Sequence, residues 1–309
     1  MRNRNQNIKK GLPIGNIIAM IFVIGIIALA NFYGKEISNL FQPKIDTPSS
    51  ETIIQTESGP VTIVTEEVDK AYPYLPEIKG ELVHHKFYSL SYMEQYEQPE
   101  WVCYKLTKEM LRRPNVPRSD WFNVDPMITT GSAKHFDYKG SGYTRGHIAP
   151  AGDMSFDQTA MEESFFMSNM MPQLRAVNNG IWRELEEQTR DWTFQNNEVY
   201  IVSGPYFGKN PKFFKKHKIA IPDAFYKIIF DVSKPTLKGI AFLIPHEKSE
   251  KPLQGYAMTI DSLESITGIN FFKNLYLDKI EKIESNLDIS AWPISEARYR
   301  LRVEQWNNQ

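Results

Sequence analysis

The 309-residue chain carries 36 Lys and Arg against 37 Asp and Glu, so its formal net charge is −1. This balance excludes a strongly basic chromatin-type protein, and 41% hydrophobic with 24% charged residues excludes wholesale disorder. The one cysteine, Cys103, excludes an intrachain disulfide and any zinc site built from several thiolates.

The charge is unevenly distributed along the chain. Residues 1–34 carry a net charge of +4, residues 35–80 carry −4, and residues 81–309 carry −1. We interpret this pattern as a basic head, an acidic stem and a near-neutral folded body. The predicted organisation is therefore a basic cytoplasmic N-terminus over 1–11, a membrane segment over 12–33, a linker over 34–75 and one domain over 76–309.

The membrane segment is predicted from a long apolar run. Between Leu12 and Ala30 the only polar side chain is Asn16. As a helix this run would span roughly 28 Å, close to the ~30 Å hydrocarbon core of a bilayer. The preceding positive charges favour a retained signal anchor, with the body outside the cytoplasm, periplasmic or extracellular. The alternative is a secreted protein whose signal is cleaved after Ala28-Leu29-Ala30, a small-x-small sequence.

Residues 34–75 are predicted to form a flexible acidic linker. Proline, glycine and serine interrupt this stretch, and acidic residues outnumber basic ones. Such a composition buries too little apolar surface to fold alone.

The body mixes predicted strands and helices. Apolar, β-branched or aromatic runs predict strands at 101–106, 199–203, 225–230 and 239–244. Helices are predicted at 160–166, 178–192 and 262–268. The elements do not alternate as in a doubly wound sheet, so we predict an α+β domain. The G-x-S-x-G, Walker A and G-x-G-x-x-G patterns are absent.

The stretch 141–153 contains the first candidate chemistry. Arg145 and His147 share one face if this piece is extended. A guanidinium can hold phosphate oxygens, and an imidazole can take a proton from water near neutral pH. Alone this signal is weak, because a single histidine is more often structural. The other five histidines are interpreted as structural.

A second candidate group lies on the predicted helix that begins at Asn178, a favoured helix cap. At about 100° per residue, Glu186 lies roughly 80° and Arg190 roughly 120° around the helix from Asn178. The three polar groups would then share one side. The alternative is an ordinary amphipathic helix with a Glu186–Arg190 pair at i, i+4. A carboxylate metal site of Glu184, Glu186 and Glu187 is not expected, because Glu184 and Glu187 are predicted to face solvent.

Together the two stretches resemble the DNA/RNA non-specific endonuclease family, the endonuclease G type of ββα-metal nuclease. The family signature Asp-Arg-Gly-His corresponds here to Thr144-Arg145-Gly146-His147, and the similarity continues through 166–173 and 178–190. Further matching stretches are Gln98–Trp101, Asp137–Tyr138, Val202–Pro205, Ile221–Lys227 and Ile266–Phe272. The resemblance covers about residues 80–275.

The resemblance implies a ββα-metal (His-Me finger) fold, with a central, mostly antiparallel sheet flanked by helices. It implies a Mg²⁺-dependent endonuclease for DNA and RNA, with Mn²⁺ as the alternative ion. It makes His147 the general base, Asn178 the metal ligand, and Glu186 the group that orients the ion's water shell. It assigns Arg145 and Arg190 to phosphate, and Asn169 to holding the site. A homodimer is among the assemblies that the family resemblance allows.

One position departs from the family signature, because Thr144 replaces its aspartate. This change leaves open a second function, a nucleic-acid-binding paralogue whose catalysis is weakened. A third function is a phosphodiesterase or phosphatase for a small substrate. Elsewhere, the lysines at 209–218 surround Phe213 and Phe214 and suggest a phosphate-tracking loop or simply a solvated one. Cys103, in an apolar run, is expected to pack in the core.

Overall fold

The computed structural model describes residues 53–56, 59–62, 74–214, 218–231, 237–273, 275 and 280–309. The chain divides into two units, 1–66 and 67–309. The first contains an antiparallel hairpin inside the predicted linker, in which Ile53 pairs with Thr62. The predicted membrane segment 12–33 lies outside the described residues. Among the helices that are described, none is long and apolar enough to cross a membrane.

The elements of the chain are as follows. The strands are β1 Ile53–Thr56, β2 Gly59–Thr62, β3 Glu81–His84, β4 Ser89–Met93, β5 Gln98–Thr107, β6 Thr144–His147, β7 Met170–Gln173, β8 Glu198–Tyr206, β9 Lys212–Phe213, β10 Ala220–Ile221, β11 Ala224–Asp231, β12 Lys238–Pro245 and β13 Ala257–Met258. The α-helices are α1 Lys108–Arg112, α2 Gln158–Ser164, α3 Arg183–Asn196, α4 Ile260–Thr267, α5 Ile280–Glu284 and α6 Glu296–Glu304. A π-helical turn spans Val177–Trp182, and 3₁₀ turns include His135–Tyr138 and Met167–Asn169.

A seven-stranded sheet organises the second unit. Its order is β13-β12-β11-β8-β5-β4-β3, and each neighbouring pair is antiparallel. The four predicted strands are confirmed as parts of β5, β8, β11 and β12. They were visible in the sequence because these strands are buried on both faces and are therefore apolar throughout. The α+β class and the central antiparallel sheet are confirmed.

Side chains alternate between two hydrophobic clusters on the two faces of the sheet. Tyr104 and Phe225 pack in the first cluster, together with Leu185 and Trp192 of α3. Their chain neighbours point the other way, so that Cys103 lies in the second cluster, which α4 and α5 help to form. Cys103 is a core residue, as expected, and burial raises its pKa to about 12. The helix α3 is thus fixed on one face, which is the face that carries the candidate site.

The predicted helices exist, but their ends differ from expectation. Asp157 caps α2, because its side chain accepts a hydrogen bond from the Ala160 N–H at 3.1 Å. Thr259 caps α4 in the same way, and Gly268, with φ of +68°, ends it. The helix predicted over 178–192 is a π-turn followed by α3, and this break determines the geometry of the site.

The prediction that Glu184 faces solvent is wrong. Its side chain is fully buried and paired with Arg302 of α6, which is also fully buried. Arg302 further donates to the backbone carbonyls of Ser249 and Lys251. The pair links α3, α6 and the loop at 249–251. The local helix pattern predicts an exposed Glu184 because it does not reveal the partner Arg302, which lies 118 residues away in the sequence.

Replacement of Arg302 by methionine is expected to lower the free energy of unfolding by about 3–5 kcal/mol, because it leaves the buried Glu184 carboxylate without its charge partner. Urea denaturation of the variant measures this loss. The double variant Glu184→Leu/Arg302→Met should recover part of it, since the uncompensated charge is gone. Equal stability of the single variant and the wild type would contradict the role of this pair.

Candidate active site

The hairpin of β6 and β7 carries the Arg145 and His147 side chains. Arg145 lies opposite Pro172, and His147 opposite Met170. The two side chains do share a face, since both approach Phe122: the Arg145 Cζ lies 4.3 Å from the centre of that ring, and the His147 ring centre lies 6.0 Å from it. Gly146 stands between them because a Cβ there would overlap the side chain of Gln173.

His147 has a neutral imidazole in this environment. Its Nε2 is buried and has no hydrogen-bond partner in the described part of the chain. The Phe165 ring packs edge-on against the imidazole, with the two ring centres 4.6 Å apart. Burial lowers the pKa of His147 to about 3, with further lowering by the positive charges of Arg118 and Arg145. At pH 7 the ring is therefore neutral.

A titration tests this state directly. An ordinary histidine gains a proton as the pH falls from 8 to 5, but the His147 ring should not, because protonation would bury a charge beside two guanidinium groups. In NMR spectra of the metal-free protein, the ring signal that is missing from His147→Ala should stay at its neutral position over this range. A midpoint near 6.5 would contradict the burial of Nε2.

Asn169 lies at the base of the hairpin and is completely buried. Its Oδ1 accepts from the Ala149 N–H at 2.9 Å, and its Nδ2 donates to the carbonyls of Ala149 at 3.0 Å and Ser164 at 2.8 Å. Both ends of the amide are thus occupied by backbone. Asn169 fixes the chain just after His147 and offers nothing to a substrate, so its geometry is that of a positioning residue.

Asn178 does not cap a helix, contrary to the sequence-based prediction. It lies in the second position of the π-turn, where its N–H donates to the Leu174 carbonyl at 2.9 Å. Gly180 breaks the helical geometry with φ −98° and ψ −111°. A Cβ on Gly180 would come within 2.6 Å of the Asn307 Oδ1. Because helical geometry is interrupted at Gly180, Asn178 does not share a regular helix with Glu186 and Arg190.

Thr144 is the hydrogen-bond partner of the Asn178 side chain. The Asn178 Nδ2 donates to the Thr144 Oγ1 at 3.0 Å, and this hydroxyl donates to the Gln173 carbonyl at 2.9 Å. The amide oxygen of Asn178 is left without a hydrogen bond from any described residue. The residue that departs from the family signature therefore orients the amide so that its oxygen is available.

Arg190 of α3 is held by residues that the sequence analysis gave no role. Its Nη1 donates to the Asp153 Oδ1 at 2.7 Å, and the Tyr104 hydroxyl donates to the Asp153 Oδ2 at 2.7 Å. Asp153 is 1% exposed, whereas a quarter of the Arg190 side chain reaches the surface. The predicted phosphate-binding guanidinium is thus fixed from behind by a buried carboxylate.

Glu186 lies near two positive charges, those of Arg190 and Lys227. Burial raises the pKa of Glu186 to about 7, although both cations oppose the shift. Lys227 is fully buried in β11, where it donates to the Ser203 hydroxyl at 2.7 Å and lies 4.9 Å from the Trp182 ring centre. Burial lowers the pKa of Lys227 to about 8. A lone lysine inside the apolar run FYKIIF was the available sequence signal for this residue.

Two further side chains belong to the site and were missed. His135, interpreted as structural, contacts Arg145 through its Nδ1 at 3.1 Å from the Arg145 Nη1. Arg118 stacks over the Phe165 ring at 5.0 Å, and it lines a cavity of ≈ 520 Å³ together with Arg190. Arg298 also lines this cavity, whereas His147 does not.

The described residues contain no group of three or more His, Cys, Asp and Glu side chains that could hold a metal. The Asn178 amide is tied to the hairpin through Thr144, and the Glu186 carboxylate interacts with Lys227 and Arg190. Of the lysine loop, 215–217 lies outside the described residues. Phe214 is occupied by packing on the Tyr143 and Tyr138 rings.

Comparison with known proteins gives consistent matches. A family model described as DNA/RNA non-specific endonuclease matches residues 71–278. The chain is 33% identical over 250 residues to the human mitochondrial nuclease EXOG, covering 71% of this chain and 67% of that protein. It is 33% identical over 213 residues to a nuclease of Nostoc sp., covering 65% of this chain and 76% of that protein.

Two further matches concern endonuclease G. Human mitochondrial endonuclease G is 29% identical over 210 residues, covering 63% of this chain and 71% of that protein. A chain in a crystal structure of the EndoG/EndoGI complex, which concerns EndoG inhibition, superposes with a TM-score of 0.58 at 28% identity. That match covers 64% of this chain and 88% of the other.

Proposed function

The chain belongs to the DNA/RNA non-specific endonuclease family and is a nucleic-acid-hydrolysing endonuclease, and from this premise we propose that it cleaves the phosphodiester bonds of DNA and RNA with Mg²⁺ and with His147 as general base. The observation that carries the proposal is the buried Nε2 of His147, which has no partner among the described residues and shares a strand face with Arg145. A neutral imidazole has a nitrogen lone pair that can take a proton from an attacking water.

The donor set fits Mg²⁺, which prefers oxygen ligands and keeps several waters. The Asn178 amide oxygen would hold the ion, and the Glu186 carboxylate would accept hydrogen bonds from its water shell. Mn²⁺ fits the same oxygen donors. When bound, the ion stabilises negative charge on the phosphate and on the leaving oxygen.

The arginines of the site have separate tasks in this proposal. Arg145 is stacked on Phe122 and lies on the same side of the hairpin as His147. It would therefore bind the phosphate that is attacked by the water from which His147 takes a proton. Arg190 is aimed by Asp153, and it would neutralise a phosphate oxygen from α3. Arg118, which lines the same cavity as Arg190, would bind a neighbouring phosphate of the same strand.

The replacement of the signature aspartate does not favour a binding-only paralogue. The Thr144 hydroxyl still accepts a hydrogen bond from the Asn178 amide, so the proposed ligand keeps its orientation. A neutral hydroxyl adds no negative charge, and we expect weaker ion binding than a carboxylate would give.

An assay with the full chain tests the proposal. Supercoiled plasmid and a structured RNA should both be degraded with Mg²⁺, and chelation by EDTA should stop both reactions. A chromogenic small phosphodiester serves as the comparison substrate. Retention of full activity in EDTA, or turnover of the small substrate alone, would overturn the proposed function.

A further inference from the structure

Two large aromatic side chains of the second unit are left in solvent. Trp121 is 78% exposed and Phe136 is 76% exposed, whereas the other exposed large apolar side chains among the described residues are 39–48% accessible. The five other tryptophans are at most 4% exposed. Exposure of single apolar side chains is ordinary, so the meaning of these two rings depends on where they lie.

Ring contacts connect Phe136 to the candidate active site, and Trp121 is the chain neighbour of a residue in the same series. A series of ring contacts runs outward from His147: the Phe122 ring centre lies 6.0 Å from His147, the His135 ring 5.7 Å from Phe122, and the Phe136 ring 5.3 Å from His135. Trp121 directly precedes Phe122, so their Cα atoms are about 3.8 Å apart.

The backbone on both sides holds these rings in place. Next to Trp121 and Phe122, the Asn123 N–H donates to the Phe165 carbonyl at 3.3 Å, and the Asn123 carbonyl accepts from Met167 at 2.8 Å. Phe136 lies in the 3₁₀ turn His135–Tyr138, and the N–H of the preceding Lys134 donates to the Asp137 Oδ2 at 2.7 Å. The rings are therefore presented on fixed segments rather than on loose ends.

Charge around these rings suits a nucleic acid strand. The Arg145 Nη1 donates to the His135 Nδ1 and its guanidinium stacks on Phe122. Arg118 lies over the Phe165 ring, is 58% exposed and pairs with the exposed Asp120 at 3.7 Å. Guanidinium groups thus lie between the exposed rings and the catalytic base. Cations that bind phosphates, beside aromatic faces that bind bases, are the combination found where single strands are bound.

We propose that Trp121 and Phe136 stack on unpaired bases of the substrate strand and so give the enzyme a preference for single-stranded over duplex nucleic acid. The inference rests on the proposed function, because it places the scissile phosphate at His147. In a duplex each base face is covered by its neighbours, so an exposed ring gains little from it. In a single strand the base next to the scissile phosphate can turn onto a ring.

Trp121 is a built-in reporter for this contact, since it is the exposed one of six tryptophans, all of which lie in the described residues. With excitation at 295 nm in EDTA, where no cleavage is expected, a twelve-residue oligothymidylate should quench the emission. It should also protect the acrylamide-accessible fraction. A duplex of the same length should do both only at much higher concentration. In Trp121→Phe the accessible fraction should disappear.

Binding of labelled oligonucleotides measures the contribution of each ring. Trp121→Ala and Phe136→Ala should each weaken single-strand binding about 5- to 150-fold, with little change for duplex. Ile266→Ala, which removes a 40% exposed apolar side chain from α4, serves as the matched control and should bind like the wild type. Cleavage rates on the two substrates should change in the same direction.

The outcomes separate this inference from the function on which it rests. If the wild type cleaves with Mg²⁺ but both ring variants bind and cleave single strands normally, base stacking is wrong and the endonuclease stands. If no cleavage occurs although Trp121 is still quenched, the function is wrong and the binding surface stands. Protection of Trp121 that rises with protein concentration alone would show self-association and would overturn the inference.

Discussion

Replacement of His147 by alanine is expected to reduce cleavage of both DNA and RNA by about 10²–10⁴-fold, the usual contribution of general-base catalysis. The ring is neutral at pH 7 because its protonation would bury a charge near Arg118 and Arg145. No other imidazole is placed in this way on the hairpin. Initial rates at saturating Mg²⁺ measure the effect.

Controls for this variant separate catalysis from folding. The oligonucleotide affinity in EDTA should change little, since Arg145 and Arg190 remain. The variant His84→Ala, in the edge strand β3, should keep its activity. Equal rates for His147→Ala and the wild type would show that another group accepts the proton. A loss of activity accompanied by a lower unfolding midpoint would instead assign His147 to stability.

The central strands were predictable because their burial on both faces leaves a continuous apolar signal. The shorter strands were not, since β4 has the sequence SLSYM and β13 has two residues. Strands of this kind are specified by their neighbours through backbone pairing rather than by their own composition. The sheet order, which brings β5 next to β8, depends on the same long-range pairing.

The residues of the site were predictable where they share a local pattern. Arg145 and His147 are two apart on one strand, so the alternation of a strand places them together. Asn178 and Glu186 are separated by the break at Gly180, which a periodic pattern does not reveal. The pair of Arg190 and Asp153 could not be predicted for a different reason. The two residues lie 37 positions apart in the sequence, and only the fold brings them together.

Replacement of Asn178 by alanine is expected to weaken Mg²⁺ binding by more than about 100-fold, because even residues that merely support a ligand contribute 10–100-fold to affinity or activity. The Asn178 oxygen is the proposed protein ligand, and its loss leaves the ion held by waters alone. The Mg²⁺ concentration that gives half-maximal cleavage measures the change. Asn179→Ala, at the next position of the same turn, is the matched control.

Thr144 provides the more specific test of how that ligand is held. Thr144→Val keeps the shape of the side chain but removes the hydroxyl that accepts from the Asn178 Nδ2, so the amide is free to turn. We expect the Mg²⁺ concentration for half-maximal cleavage to rise about 10–100-fold. Thr144→Ser should behave like the wild type. Thr144→Asp should bind the ion more tightly, because it adds a negative charge beside the ligand. If the valine variant keeps the wild-type Mg²⁺ requirement, the orientation of Asn178 does not depend on this hydroxyl, and the amide must be held by the π-turn itself.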